Sequence, residues 1–320
     1  VYRDKGAQDR ALADFGQAIK LNPQFAMAYA DRATIYYIRR DWEHAAADFD
    51  ATIAIDPSYA PAYFDRGNAH AALGKLDRAV ADFDEALRIN PQHAVAYNNR
   101  GMAHRGLGDT GQALADFSDA IKADPNYADA LFNRSLIFVA RGESDPAIAD
   151  LNRVVQLQPA NAPAVYHRGL LYRTRGDAVR AMADFDQTIR LDARHALAFY
   201  QRGNLRHAQR DYDDAIADFD AALKLGVNEA MALRERGRTY SDKGDHERAI
   251  MDFDRAIKLN PDSAPSYQDR GRAYVARGKI DLAIADFDQA IRINPNDDVV
   301  LYDRGRAYQG KALHDRAIAD

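Results

Sequence analysis

Residues 60–93 read APAYFDRGNAHAALGKLDRAVADFDEALRINPQH, and residues 94–127 read AVAYNNRGMAHRGLGDTGQALADFSDAIKADPNY. Laid one over the other, they share Tyr63 with Tyr97, Arg66-Gly67 with Arg100-Gly101, Asp82-Phe83 with Asp116-Phe117, and Pro91 with Pro125. Working outward, Arg-Gly returns at Arg168, Arg202, Arg236, Arg270 and Arg304, while Arg32-Ala33 and Arg134-Ser135 fill the missing beats. A second marker keeps the same 34-residue step at Phe15, Phe49, Phe83, Phe117, Leu151, Phe185, Phe219, Phe253 and Phe287. The closing Pro recurs from Pro23 to Pro159, is replaced by Ala193 and Val227, and resumes at Pro261 and Pro295. A fixed period without insertions is the signature of a repeat architecture, in which each unit needs its neighbours to bury a core.

Each unit reads as two amphipathic helices. In residues 60–93 a first helix runs from about Ala60 to Leu73, Gly74-Lys75 makes a turn, and a second helix runs to about Arg88. Asn90-Pro91 ends it, because the residue before Pro is disfavoured in the helical region. Tyr63, Gly67 and His70 share one face of the first helix, and Leu76, Ala79, Phe83 and Leu87 share one face of the second. Glycine inside a helix costs roughly 1 kcal/mol against alanine. Its return beat after beat therefore implies a steric need: Gly67 and Ala79 let the backbones approach, and Phe83 fills the space between them.

The spacing of Tyr63, Gly67, Ala79, Phe83, Ala86 and Pro91 resembles the tetratricopeptide repeat slot by slot, and the resemblance covers the whole chain. It implies an all-α fold, a right-handed superhelical solenoid of 34-residue helix-turn-helix units. Residues 1–320 would form a single array: a partial repeat at 1–25, eight full repeats over 26–297, and a partial repeat at 298–320. Val1 would fall late in a first helix. The departure from the family pattern is Arg where Leu is frequent, just before the Gly. An Arg in every first helix and an Asp before every Phe slot, recurring in equal step, suggest an ion-pair ladder within or between units, rather than a binding strip for anions.

The resemblance also implies a concave groove lined mainly by first helices. Two residues before the ladder Arg stand Phe64, Asn98, Phe132, Tyr166, Tyr200 and Arg234; two residues after it stand Asn68, Leu136, Leu170, Arg238, Arg272 and Arg306. With Asn99 these are the candidate partner-binding residues. Phe132 and Tyr166 fit groove lining and core packing equally. Glu235, Asp269 and Asp303 precede Arg238, Arg272 and Arg306 by three residues, a spacing at which helical side chains pair. Arg234 has no such acid before it. The clamp with which chaperone-binding members hold a C-terminal carboxylate is not matched: Asn68 and Asn99 fit its two Asn slots, but Phe64 and Asp129 occupy the Lys slots and Asn133 the Arg slot.

Composition narrows the function. A 47% hydrophobic and 28% charged chain is built to fold rather than stay disordered. The net charge of −5 is dispersed without basic or acidic blocks, so no nucleic-acid partner is expected. Apolar runs of only a few residues are too short to span a bilayer, so no membrane insertion is expected. With no cysteine there is no disulfide and no thiolate chemistry. Gly106, Gly108 and Gly111 spell G-x-G-x-x-G, but at a helix-helix turn rather than after a strand. The paired aspartates of Asp48-Phe49-Asp50 point about 200° apart on a helix and cannot share a metal ion. No catalytic, cofactor or metal residue is expected, and the chain reads as a non-enzymatic scaffold that holds an extended peptide or partner helix. Two alternatives stay open: the recognition array of a larger protein, and end-to-end self-association. The sequence leaves the compartment open, with the cytoplasm favoured and a targeting segment before Val1 compatible with it.

Overall fold

The computed structural model describes residues 5–320, with side chains from residue 6, so the placement of Val1 lies outside the described residues. All regular structure among them is α-helical. The described residues form two compact units that divide between Pro159 and Ala160. The first holds α1 (Lys5–Leu21), α2 (Ala26–Ile38), α3 (Trp42–Ile55), α4 (Ala60–Ala72), α5 (Leu76–Ile89), α6 (Ala94–Gly106), α7 (Thr110–Ala123), α8 (Ala128–Ala140) and α9 (Ser144–Leu157). The second holds α10 (Ala162–Thr174), α11 (Ala178–Leu191), α12 (Ala196–Ala208), α13 (Tyr212–Lys224), α14 (Glu229–Asp242), α15 (His246–Leu259), α16 (Ala264–Ala276), α17 (Ile280–Ile293), α18 (Asp298–Gly310) and α19 (His314–Ala319). Even-numbered helices are the first helices of hairpins and odd-numbered ones the second; each packs on the next within its unit.

The hairpins are punctuated as local chemistry demands. Before several second helices an Asp caps the free backbone amides: Asp41, Asp109, Asp177 and Asp245 accept from the amides of His44, Gln112, Arg180 and Arg248. The turn ahead of them needs a left-handed residue, supplied by Gly74 at φ +72° in one hairpin and by Arg40 at φ +62° in another.

Between the two helices of a hairpin the approach is as close as the glycines imply. A Cβ placed on Gly67 would stand 2.8 Å from Cε1 of Phe83 and 3.2 Å from Cβ of Asp82. Gly101, Gly169, Gly237 and Gly271 meet their own Phe in the same way. The rings themselves, from Phe49 to Phe287, are fully buried, each contributing roughly 1.5–3 kcal/mol of transfer free energy. The hairpin of residues 128–161 solves the same problem with different residues. Ser135 replaces Gly, Leu151 replaces Phe, and both are buried together with Val154. The shorter Leu leaves room for the Ser side chain, whose hydroxyl donates to the Phe132 carbonyl at 2.6 Å.

The Arg–Asp column joins helices both within and between hairpins. Arg202 of α12 donates from Nε and Nη2 to the two carboxylate oxygens of Asp218 in α13, at 2.9 and 2.6 Å. Its remaining nitrogen, Nη1, reaches back to Asp186 in α11 at 2.7 Å. Arg66, Arg100, Arg236, Arg270 and Arg304 repeat this two-sided arrangement. The two aspartates of Asp-Phe-Asp thus serve different guanidinium groups: the first takes the arginine of its own hairpin, the second that of the hairpin that follows. Every ladder arginine also lies 5.4–6.0 Å from the centroid of an aromatic ring. Where Leu131, Leu233 or Leu301 leaves the slot three before the Arg without a ring, Phe138, Tyr240 or Tyr308 supplies one four after it. His70 and His104 face the ladder: His70 Nδ1 is 2.8 Å from Asp82, and His104 Nε2 3.7 Å from Asp116. Burial works against the charged form of Arg202, but its pairing with Asp218 and Asp186 outweighs that and raises its pKa above the ordinary value. Two rungs in the first unit lack the rear carboxylate: Arg32 finds Asp48 ahead at 2.7 Å with Gly16 behind, and Arg134 finds Asp150 ahead at 2.8 Å but only the Ser118 hydroxyl behind, at 3.3 Å.

Two stability outcomes follow. Gly271→Ala places a Cβ 2.6 Å from the Phe287 ring, whereas at Gly305 the nearest atom would be 3.5 Å away. The first is expected to cost about 1–3 kcal/mol and the second to be neutral or stabilising, as read by urea denaturation. Ser118→Asp restores the missing anion behind Arg134 and is expected to raise stability by about 0.5–1 kcal/mol. An unchanged midpoint in the same titration would show that the second aspartate adds nothing to a rung.

Candidate functional site

With the ladder arginines each held by an aspartate of their own hairpin, the surface left for other molecules is the side of the first helices that varies from hairpin to hairpin. In the first unit, Asn68 of α4, Asn98 and Asn99 of α6 and Phe132 of α8 come together around one open hollow of ≈ 480 Å³. Leu76 and Phe83 of α5, Met102, Asp129 and Asn133 complete its walls. Four carboxamides cross it as a chain. Asn133 Nδ2 donates to Asn98 Oδ1 at 3.0 Å, Asn98 Nδ2 to Asn99 Oδ1 at 3.2 Å, and Asn99 Nδ2 to Asn68 Oδ1 at 2.8 Å. Asn68 in turn hydrogen-bonds the carboxylate of Asp65. An ionised carboxylate only accepts, so Asp65 obliges Asn68 to present its amide nitrogen and turns every amide behind it the same way. Leu136 lies in the adjoining hollow with Arg105 and Thr110. Phe64 is set back, its ring 6.0 Å from Phe83 and 4.7 Å from His93.

The second unit presents a different face. Tyr166 and Tyr200 are each only 8% exposed and pack 5.9 Å from Phe185 and Phe219, so their rings close the edge of the core. Burial pushes both phenols up, against hydrogen bonds from Gln201 and Asn204 respectively. Leu170 beside them is half-buried. The arginines of this face are largely matched by acids. Arg234 bonds Asp269 of the next first helix at 2.7 Å, and Arg238 bonds Glu235 at 2.9 Å. Arg272 reaches Asp303, one hairpin on, at 2.7 Å rather than Asp269 three residues before it. Gln268 donates to the same Asp303 at 3.0 Å. Arg306 is exposed and forms no ion pair among the described residues. Around these groups lie two hollows: one of ≈ 620 Å³ with Met231, Arg234 and Leu259, and one of ≈ 530 Å³ with Arg272, Ile280, Tyr302 and Arg306.

The slot that ties neighbouring first helices together is the residue just before the ladder Arg, singled out above at Asn99 and Asn133 and, as a partner within its own helix, at Glu235, Asp269 and Asp303. It holds Asp65, Asn99, Asn133, Gln201, Glu235, Asp269 and Asp303, and its signal was available: a polar side chain stands there in every unit. Among the described residues no group of three or more His, Asp or Glu could hold a metal ion. No helix among them is long and apolar enough to cross a membrane.

The sequence matches no curated protein. Among solved structures, the chain is similar to YrrB, a TPR protein with an unusual peptide-binding site, at 25% identity and TM-score 0.51, covering 59% of this chain and 97% of that one. It is also similar to the APC/C hetero-tetramer Cut9–Hcn1, at 19% identity and TM-score 0.55, covering 92% of this chain and 58% of the other. A third is the Pseudomonas aeruginosa protein pilF, at 20% identity and TM-score 0.56, covering 66% and 96%. Family models described as tetratricopeptide repeat match residues 1–60, 39–94, 64–128, 98–162, 135–196, 200–264 and 237–308. Helical hairpins repeating every 34 residues, a Gly–Phe contact at their centre and these matches along the sequence place the chain in the tetratricopeptide repeat family.

Proposed function

We propose that the chain is a non-catalytic interaction scaffold that holds an extended peptide segment of a partner protein against its first helices, with the hollow over α4, α6 and α8 as the principal contact. Tetratricopeptide repeats generally serve as protein-interaction scaffolds, and YrrB, to which this chain is similar, carries a peptide-binding site. The observation that carries the reading is the carboxamide chain through Asn68, Asn99, Asn98 and Asn133 in the floor of an open hollow. Each amide uses one N–H and one lone pair on its neighbour, leaving a second N–H and a second lone pair for a ligand. Pairs of this kind match the alternating C=O and N–H groups of an extended peptide, and Phe132, Met102 and Leu76 supply apolar walls for its side chains. Leu136 extends that surface in the first unit. On the second unit Leu170, Arg234, Arg238, Arg272 and Arg306 would contact the same partner or another one, with Tyr166 and Tyr200 supporting them from behind.

Selection from a phage-displayed random-peptide library, followed by fluorescence polarisation with the selected peptides, tests this. Asn99→Ala with Phe132→Ala is expected to weaken binding at least tenfold while helicity is retained. Equal affinity for wild type and variant would remove the hollow from the binding surface.

A further inference from the structure

Arg39, Lys243, Arg277 and Lys311 occupy one position of the repeat, just past the end of a first helix. Each pairs with an acid thirty residues earlier, on the helix before: Asp9, Asp213, Glu247 and Asp281 respectively. Arg141 stands at the same position after α8, but the residue thirty before it, in the first turn of α7, is Gly111. Arg141 is exposed, and its side chain forms no ion pair or hydrogen bond among the described residues. A second arginine, Arg105 in the last turn of α6, lies against the Met102 sulfur at 3.1 Å and has no carboxylate partner among them. Both line one open hollow of ≈ 420 Å³, whose other walls are Thr110, Leu136, Ile137 and Ala140. No acid lines it. The nearby Asp109 caps α7, accepting from the Gln112 amide at 3.1 Å.

We infer that this hollow takes an aspartate or glutamate side chain of the bound segment, its carboxylate held by Arg105 and Arg141 and an apolar neighbour resting on Leu136 and Ala140. This rests on the reading of the chain as a peptide-binding scaffold and names the chemistry of its partner. The ligand group is the one the repeat itself uses at this position. Elsewhere the chain supplies the base with a carboxylate from its own preceding helix; here it omits the acid and leaves its place open. A Cβ built on Gly111 would meet nothing nearer than Asp109 Oδ1, at 3.6 Å. A single exposed cation is content in water, but two guanidinium groups on the walls of one hollow repel each other, and a carboxylate between them relieves that while gaining charge-assisted hydrogen bonds. The apolar walls strengthen the attraction by excluding water from one side of it. The hollow also continues the contact over α4, α6 and α8, because Met102, on which Arg105 lies, belongs to the wall of that one.

The test uses peptides selected on the wild-type chain from the phage-displayed random library and measured by fluorescence polarisation. They are expected to share an Asp or Glu at one position, and replacing it with Asn or Gln should weaken binding about tenfold. Against Arg105→Gln/Arg141→Gln, whose two sites lie outside the ladder, the same replacement should change affinity less than about twofold. Gly111→Asp puts back the acid that the other hairpins carry. It has room for its side chain, so the fold is expected to be kept, and the affinity of acid-bearing peptides should fall towards that of their amide counterparts. Peptides that need Asn99 and Phe132 but share no acid, or bind equally as the amide, would overturn this inference and leave the peptide-binding reading standing. So would an acid dependence that survives in Arg105→Gln/Arg141→Gln. An acid dependence lost in that variant, in peptides indifferent to Asn99→Ala and Phe132→Ala, would keep this hollow and strike the one over α4, α6 and α8. A library that yields no binder would overturn both.

Discussion

A guanidinium group drawn half out of water must be matched on its edges and on its faces, and the ladder arginines of this chain are matched on both. Two nitrogens of Arg202 grip Asp218, the third takes Asp186, and the ring of Phe199 lies alongside. Lysine could not replace it, because a point charge has no planar fork to divide between two carboxylates on opposite sides. The geometry also accounts for the period. Arg202 reaches sixteen residues ahead within its hairpin and sixteen back into the preceding one, as do Arg66, Arg100, Arg236, Arg270 and Arg304. The two aspartates it leaves for itself and its successor stand two positions apart around the buried Phe. Changing the length of any turn by one residue would break one side of the rung, so register and electrostatics select the same spacing.

Much of this was legible in the sequence because it rests on contacts inside one repeated unit. The Gly–Phe approach, the turn at Gly74 and the ends of the helices near Asn90-Pro91 depend on residues whose spacing is local and whose conformational demands are strong. The equal recurrence of Arg and Asp suggested the ladder. Its second aspartate went unassigned, since two carboxylates on opposite sides of a helix suggested only that they could not share an ion. The division of the chain at Pro159 leaves no mark in the period.

Contacts between neighbouring first helices were harder to read. Arg234 looked partnerless because its acid, Asp269, comes from the next hairpin; Arg272 turns to Asp303 for the same reason. Such pairs lie 31 or 35 residues apart, and which one forms depends on rotamers that a period does not specify. The aromatic slot two before the arginine shows the other limit. Periodicity puts Phe64, Tyr166 and Tyr200 on the open side of their helices, yet the small Gly beside the Phe lets their rings sink to 6.0, 5.9 and 5.9 Å from it. What remains outward is a polar face whose charges are mostly paired in the second unit, as Arg234 with Asp269 and Arg272 with Asp303, and mostly amide-bonded in the first, as along Asn68, Asn99, Asn98 and Asn133.

The central claim is that one guanidinium joins successive hairpins through two separate carboxylates, and a double-mutant cycle on Arg202 and Asp186 tests it most directly. Arg202→Met, Asp186→Asn and the double variant would be compared with wild type by urea denaturation. Asp186 is partly exposed, so the account predicts a favourable coupling of about 1 kcal/mol, declining with added salt. Additive effects of the two substitutions, with no coupling beyond error, would contradict it.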